Sequence, residues 1–148
     1  YAGLLNNMAL LYITMGQTEK VEEPLVKALG IYKSSVGDES PVYAKTLNDL
    51  GNFYRSQARY AEAEPLLTKA LAIREKSLGT SHPLYAQSQE DLAIHYWKKG
   101  DSDKAYPLYK TVMDQSLEFI NRYFPPMSEA EKTKYWDVLQ PRFQRFYN

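Results

Sequence analysis

The chain has 148 residues, one domain or one short array, and its 18 basic and 18 acidic side chains give a formal net charge of zero. That balance argues against a nucleic-acid-binding face, where basic residues cluster or dominate, and no apolar run approaches the roughly 20 residues needed to cross a bilayer. Absence of cysteine excludes a disulfide framework and a thiol nucleophile within this stretch. No charged-then-apolar leader is visible, and the cytoplasm is the expected compartment, although the chain opens with Tyr1 inside a repeat rather than with Met.

The chain repeats itself. Tyr43 lies 42 residues after Tyr1, and Tyr85 lies 42 after Tyr43. In that register Leu5/Leu47, Asn6/Asn48, Tyr12/Tyr54, Glu22/Glu64, Leu25/Leu67, Ala28/Ala70, Gly37/Gly79 and Pro41/Pro83 coincide, and a weaker third copy keeps Leu92, Tyr96, Ala105 and Leu108. A fixed period of about 20–50 residues marks a solenoid built by stacking one supersecondary unit. The expected divisions are 1–42, 43–84 and 85–126, the last with an atypical end, followed by a helical segment at 127–148 that leads toward a further domain.

Each copy divides into two helical halves. Tyr43, Leu47, Leu50 and Tyr54 form the apolar stripe of an amphipathic helix. A break at residues 56–59 follows, matched by Gly16 and by Gly100-Asp101, and Ala63, Leu67, Ala70, Leu71 and Ile73 carry the second helix. Gly79 then stops that helix and Pro83 opens the next, as Gly37 and Pro41 do one copy earlier. Pro24, Pro65 and Pro107 sit early in the second helices, where a kink or a delayed helix start is expected. After residue 120 the pattern fails: Ser128-x-x-Glu131 is a capping box that starts a further helix, which Pro141 should kink or restart. Trp136, Phe143, Phe146 and Tyr147 make this end aromatic. It folds back on the third copy or meets a following domain.

Leu50-Gly51-x-x-Tyr54 followed by Ala63, Leu67 and Ala70 resembles the tetratricopeptide repeat, in which small residues let paired helices approach closely. Met8-Ala9-x-x-Tyr12 and Leu92-Ala93-x-x-Tyr96 carry the same pattern in the outer copies, with Val21 and Val112 where alanine is usual and looser packing is expected. The long period and the phrases EAEPLLTKALAIREKSLG and HPLYA are similar to the kinesin-light-chain type. Residues 124–148 resemble the segment that follows such repeats in bacterial proteins with a caspase-like CHAT domain, whose catalytic cysteine and histidine would lie beyond Asn148. The resemblance implies an all-α, right-handed solenoid of three helix pairs plus one or two C-terminal capping helices.

No catalytic constellation is present. His82 reads as a turn residue capping a helix, and His95 as a packing or half-exposed residue at the position of Phe53. Two distant histidines without cysteine build neither a zinc site nor a nucleophile–base pair. The acidic pairs Glu22-Glu23 and Glu90-Asp91 read as solvated helix faces, and no glycine-rich phosphate loop occurs. Neither an enzyme nor a cofactor is expected. In the family the resemblance names, the first helices line the concave side, which implies Asn6, Asn7, Leu10 and Ile13 there in copy one. Copy two contributes Lys45, Asn48, Asp49, Asn52, Arg55 and Ser56; copy three contributes Gln87, Glu90, Asp91, Ile94, Trp97 and Lys98. Asn6, Asn48 and Asn52 carry a donor and an acceptor each and suit a peptide backbone. Arg55 and Lys98 suit a carboxylate and Trp97 an apolar anchor. The expected function is therefore a non-catalytic module that binds a peptide or partner protein in its groove, as the recognition arm of a larger CHAT-type protein. Asn48→Ala with Asn52→Ala is expected to abolish binding without unfolding the array. The alternative is a structural spacer or an intramolecular clamp acting through the aromatic end. The exposed face at Tyr1 should meet another repeat or a second copy.

Overall fold

The computed structural model describes residues 1–147, without the side chains of residues 138, 142, 143 and 145–147. The aromatic end expected from Phe143, Phe146 and Tyr147 thus lies outside the described residues. In chain order the helices are α1 (Ala2–Thr14), α2 (Glu22–Ser35), α3 (Pro41–Ser56), α4 (Tyr60–Leu78), α5 (Pro83–Lys99), α6 (Ser102–Tyr123) and α7 (Glu129–Tyr147), with a 3-10 turn at Thr18–Lys20. No strand occurs among the described residues. Helix α1 packs on α2, α3 on α4 and α5 on α6, and successive pairs stack through α2–α3 and α4–α5. This is an α-solenoid.

The punctuation read from the sequence acts where it stands. Ser40 Oγ accepts the Tyr43 N–H at 3.3 Å ahead of α3, and His82 Nδ1 accepts the Leu84 N–H at 3.1 Å ahead of α5, each next to a proline in the first turn. Within the first and third pairs the chain turns through Gly16 (φ +70°) and Gly100 (φ +85°). The matching residue of the middle pair is Ala58, held at φ +59°. A Cβ in that left-handed conformation costs roughly 1–2 kcal/mol. Ala58→Gly is accordingly expected to stabilise the chain by about 1 kcal/mol, read as a higher urea midpoint at unchanged slope. A lower midpoint would refute it.

The main core joins all three pairs: Ala9, Val21, Leu25, Leu50, Phe53, Tyr54, Ala63, Leu67 and Leu92 form one buried cluster. Close approach inside the middle pair depends on Gly51, where an added Cβ would stand 2.8 Å from Leu67 Cγ and 3.4 Å from the Ala63 carbonyl oxygen. Gly51→Val is expected to cost about 1–3 kcal/mol through overpacking, and a variant as stable as the parent would show that Leu67 can move aside. Val21 and Val112 are both buried, so the two departures from alanine leave no exposed gap.

The prolines divide into two cases. Copy one delays its helix with the 3-10 turn, which brings Pro24 into the first turn of α2. Pro65 and Pro107 lie inside α4 and α6, each beginning five residues earlier. At the far end, Ser128 and Glu131 form the reciprocal capping box, with the Ser128 N–H donating to Glu131 Oε2 at 2.9 Å and the Glu131 N–H to Ser128 Oγ at 3.4 Å. Helix α7 runs through Pro141 as a single element rather than restarting there. It folds back on α6, where the Phe119 ring meets Tyr123 and Tyr135 at centroid distances of 4.8 and 5.5 Å.

Candidate partner-binding surface

The first helices of the pairs are tied side by side by polar side chains. Asn6 Nδ2 donates to Thr46 Oγ1 at 2.8 Å, linking α1 to α3. One copy on, Asn48 Nδ2 donates to Asp91 Oδ2 at 2.7 Å, and Ser88 Oγ donates to Asn48 Oδ1 at 3.4 Å. Arg55 Nη1 donates to the Asp91 carbonyl oxygen at 2.7 Å, with the Asp91 carboxylate 3.8 Å away. From behind, the buried guanidinium of Arg74 on α4 donates to Ser88 Oγ at 2.8 Å and to the Leu84 carbonyl at 2.9 Å. Burial lowers the Arg74 pKa, a pull that Asp91 and Asp49 oppose. These contacts fix the first helices in register.

A second set of bonds joins each second helix to the following first helix. Tyr54 Oη donates to Glu22 Oε1 at 2.7 Å, and Arg59 Nη1 donates to Glu22 Oε2 at 2.7 Å while its guanidinium lies 4.0 Å from the Tyr54 ring centroid. One period later Tyr96 Oη donates to Glu64 Oε1 at 3.1 Å and Lys99 Nζ to Glu64 Oε2 at 2.7 Å. The Arg59 bond, then the Tyr54 bond, holds the Glu22 carboxyl below its usual range; for Glu64 the Lys99 bond is the largest cause. Burial, with the carboxylate beside each, pushes both tyrosine hydroxyls up to about 12. Between these elements His95 is wholly buried, and neither ring nitrogen has a hydrogen-bond partner among the described residues. Its Nε2 stands 3.7 Å from Glu64 Oε2, beyond hydrogen-bond reach.

What this framework leaves open is a strip across the first helices. Ile13, Arg55 and Trp97 occupy one register position of the three copies, and Leu10, Asn52 and Ile94 another. Ile13 and Leu10 are exposed on α1, Arg55 is mostly covered in the middle, and Trp97 stands 59% exposed on α5 beside the exposed Lys98.

Models of the tetratricopeptide repeat match residues 2–42 and residues 42–118. The chain belongs to the tetratricopeptide repeat family. Solved structures with the same fold include BtubC (BKLC) from P. vanneervenii, 21% identical over 97% of this chain and 55% of that one, with a TM-score of 0.76. Two structures of a putative kinesin light chain with nearly identical TPR-like repeats from Podosopora anserina match at 25% and 24% identity. They cover 81% and 82% of this chain and 57% of each of those, with TM-scores of 0.70 and 0.68. The chain thus spans little more than half the length of the structures it matches. No curated protein matches its sequence. Tetratricopeptide repeats are generally protein–protein interaction modules, typically without catalysis, and the structural neighbours include kinesin-light-chain-like repeats. No helix is long and apolar enough to cross a membrane among the described residues.

Within that tetratricopeptide framework the residues read as groove contacts fall into two groups. Asn6, Asn48 and Arg55 are engaged between the first helices, and Glu90 is buried rather than presented. Lys45 is exposed but paired with Asp49 at 2.7 Å, one turn along α3. Asn52 is half-buried with its Oδ1 unpartnered, while Trp97 and Lys98 are exposed. Glu22 and Asp91, read as parts of solvated acidic pairs, are inter-repeat ligands instead. The recurrence of Glu22/Glu64 with Tyr54/Tyr96 at one spacing is the signal that marks the clasp.

Proposed function

We propose that this array binds an extended peptide, or an extended segment of a partner protein, across α1, α3 and α5. Trp97 carries the reading: a largely exposed indole ends a row that begins with the exposed Ile13, on a surface whose other polar groups are mostly tied to one another. An aromatic anchor of this kind supplies a disproportionate share of binding energy. Lys98, exposed next to Trp97, favours a ligand with an acidic residue near the anchor. No step of chemistry is needed; the rigid register of the three helices does the positioning.

A displayed peptide library selected on the full chain tests this. Trp97→Ala should weaken the selected peptides at least about tenfold while leaving the unfolding midpoint unchanged, because the indole is exposed. Peptides that bind the variant as well as the parent would overturn the groove reading. On the resemblance of residues 124–148, this surface serves as the recognition or regulatory arm of a larger CHAT-domain protein. A reading frame past Asn148 without a caspase-like cysteine and histidine would remove that role and leave the groove untouched. A second reading, a spacer or intramolecular clamp, rests on Tyr135 and Trp136, both partly exposed on α7.

A further inference from the structure

The third helix pair departs from the first two in its core. In copies one and two the same positions build an apolar cluster: Ala2, Leu5 and Ala28 with Ile31, then Ala44, Leu47, Ala70 and Ile73. In copy three those four positions hold Ala86, Gln89, Val112 and Gln115. Gln89 is buried and Gln115 half-buried, and the Oε1 of each is buried without a hydrogen-bond partner among the described residues. Gln89 Nε2 donates to Tyr85 Oη at 3.4 Å, one turn back on its own helix, a bond that ties nothing across the pair.

Helix α6 changes in the same stretch. Arg74 of α4 straps that helix to Ser88 and the Leu84 carbonyl of α5, whereas its counterpart Ser116 donates to the Val112 carbonyl of its own helix at 2.8 Å. Back-bonding of this kind slightly destabilises and bends a helix. The first half of α6 is held better. Ala105 is wholly buried, Leu108 packs against the main core, and Lys104 Nζ stands 5.2 Å from the Tyr96 ring centroid. Helix α7 rests on the other end of α6, where the Tyr135 ring meets Phe119 and, at the helix terminus, Phe124 at 6.3 Å.

We infer that the second half of α6 and α7 form a latch, which opens from α5 as one unit while α1 to α5 and the start of α6 keep their stack. A buried amide oxygen left unpaired bears its desolvation cost on closing, a penalty of roughly tenfold each in the closing equilibrium. Leucine and isoleucine at the same positions bear none. Position at one end of the stack is not the cause, because the first pair also has an open face and keeps the apolar form of the cluster. The device lies in the two glutamines. It stands apart from the groove and does not rest on it.

Single thiols test this cleanly in a chain without cysteine. Ala28, Ala70 and Val112 share one register position, Ala63 and Ala105 another, and all five are buried. In the full chain, a thiol-reactive dye should label the Val112→Cys variant at least about tenfold faster than Ala28→Cys or Ala70→Cys. Ala105→Cys should label as slowly as Ala63→Cys, because the first half of α6 stays closed. Adding Gln89→Leu and Gln115→Ile to Val112→Cys should slow its labelling by at least about tenfold. Hydrogen exchange of the chain without a thiol reads the same opening: amides 112–123 should exchange faster than amides 70–78, and the two glutamine substitutions should slow them. Three results would each overturn the latch. They are slow labelling at Val112→Cys, labelling at Ala105→Cys as fast as at Val112→Cys, and fast opening that persists after both glutamines are replaced.

Discussion

Asn48→Ala is expected to lower the unfolding free energy by about 2–3 kcal/mol, far more than its place on the first-helix face suggests. The Asn48 amide sits at the centre of a chain of bonds that runs from Arg74 through Ser88 to Asp91 and Arg55. Its removal takes a donor from the largely covered Asp91 carboxylate and an acceptor from the buried Ser88 hydroxyl. A bond to a charged group contributes more than a neutral one, and a buried group left unpaired bears its desolvation cost in full. Asn52→Ala should cost little, because the Asn52 Oδ1 has no partner to lose. Urea titration of the two variants side by side separates them. Equal, small effects would mean that Asn48 is not the keystone of the stack. The corollary is that loss of peptide binding in the double variant would not by itself locate the groove, whereas loss in Trp97→Ala would.

His95→Phe is expected to stabilise the chain by about 1–2 kcal/mol at neutral pH and to remove a step in its acid sensitivity. The substitution restores the residue type of Phe53, one period earlier, and eliminates two buried nitrogens without partners. Burial is the first cause that lowers the His95 pKa from 6.5; Lys99 and Arg55 add to it, and Glu64 opposes it. The unfolded chain therefore takes up a proton as pH falls below about 6.5 while the folded chain does not. Stability present above that pH is lost on acidification, with a slope of at most about 1.4 kcal/mol per pH unit from this one group. Glu22 and Glu64, whose pKa values are lowered from 4.5, lose their contribution as pH falls from about 4.5 through those lowered values. Unfolding midpoints between pH 4.5 and 6.5 isolate the histidine. A parent and a variant with parallel profiles across that window would refute the assignment.

The repeat and its punctuation were legible because each depends on local chemistry. The glycines, the prolines that open α3 and α5, and the capping box at Ser128 act within a few residues of where they stand. His82, read as a cap, is one. Pro24 shows the limit of that reasoning: a one-residue offset from the other prolines is accommodated by a 3-10 turn that no propensity specifies. The side chains of the first helices were harder to read for a physical reason. A polar residue on an amphipathic helix faces either solvent or the next repeat, and the period of one helix does not distinguish the two. Asn48 and Glu90 are therefore buried where an open groove was expected, while the large apolar Trp97 is exposed. His95 turned out wholly buried without a partner, which its exchange with Phe53 hinted at.

A partner gripped across α1, α3 and α5 would shield the amides of those helices from exchange. Hydrogen exchange of the full chain, with and without a peptide selected from the displayed library, tests it most directly. Slower exchange is expected along those three helices, centred near Trp97 on α5. Protection confined to α7, or to the outer faces of α2 and α4, would contradict it.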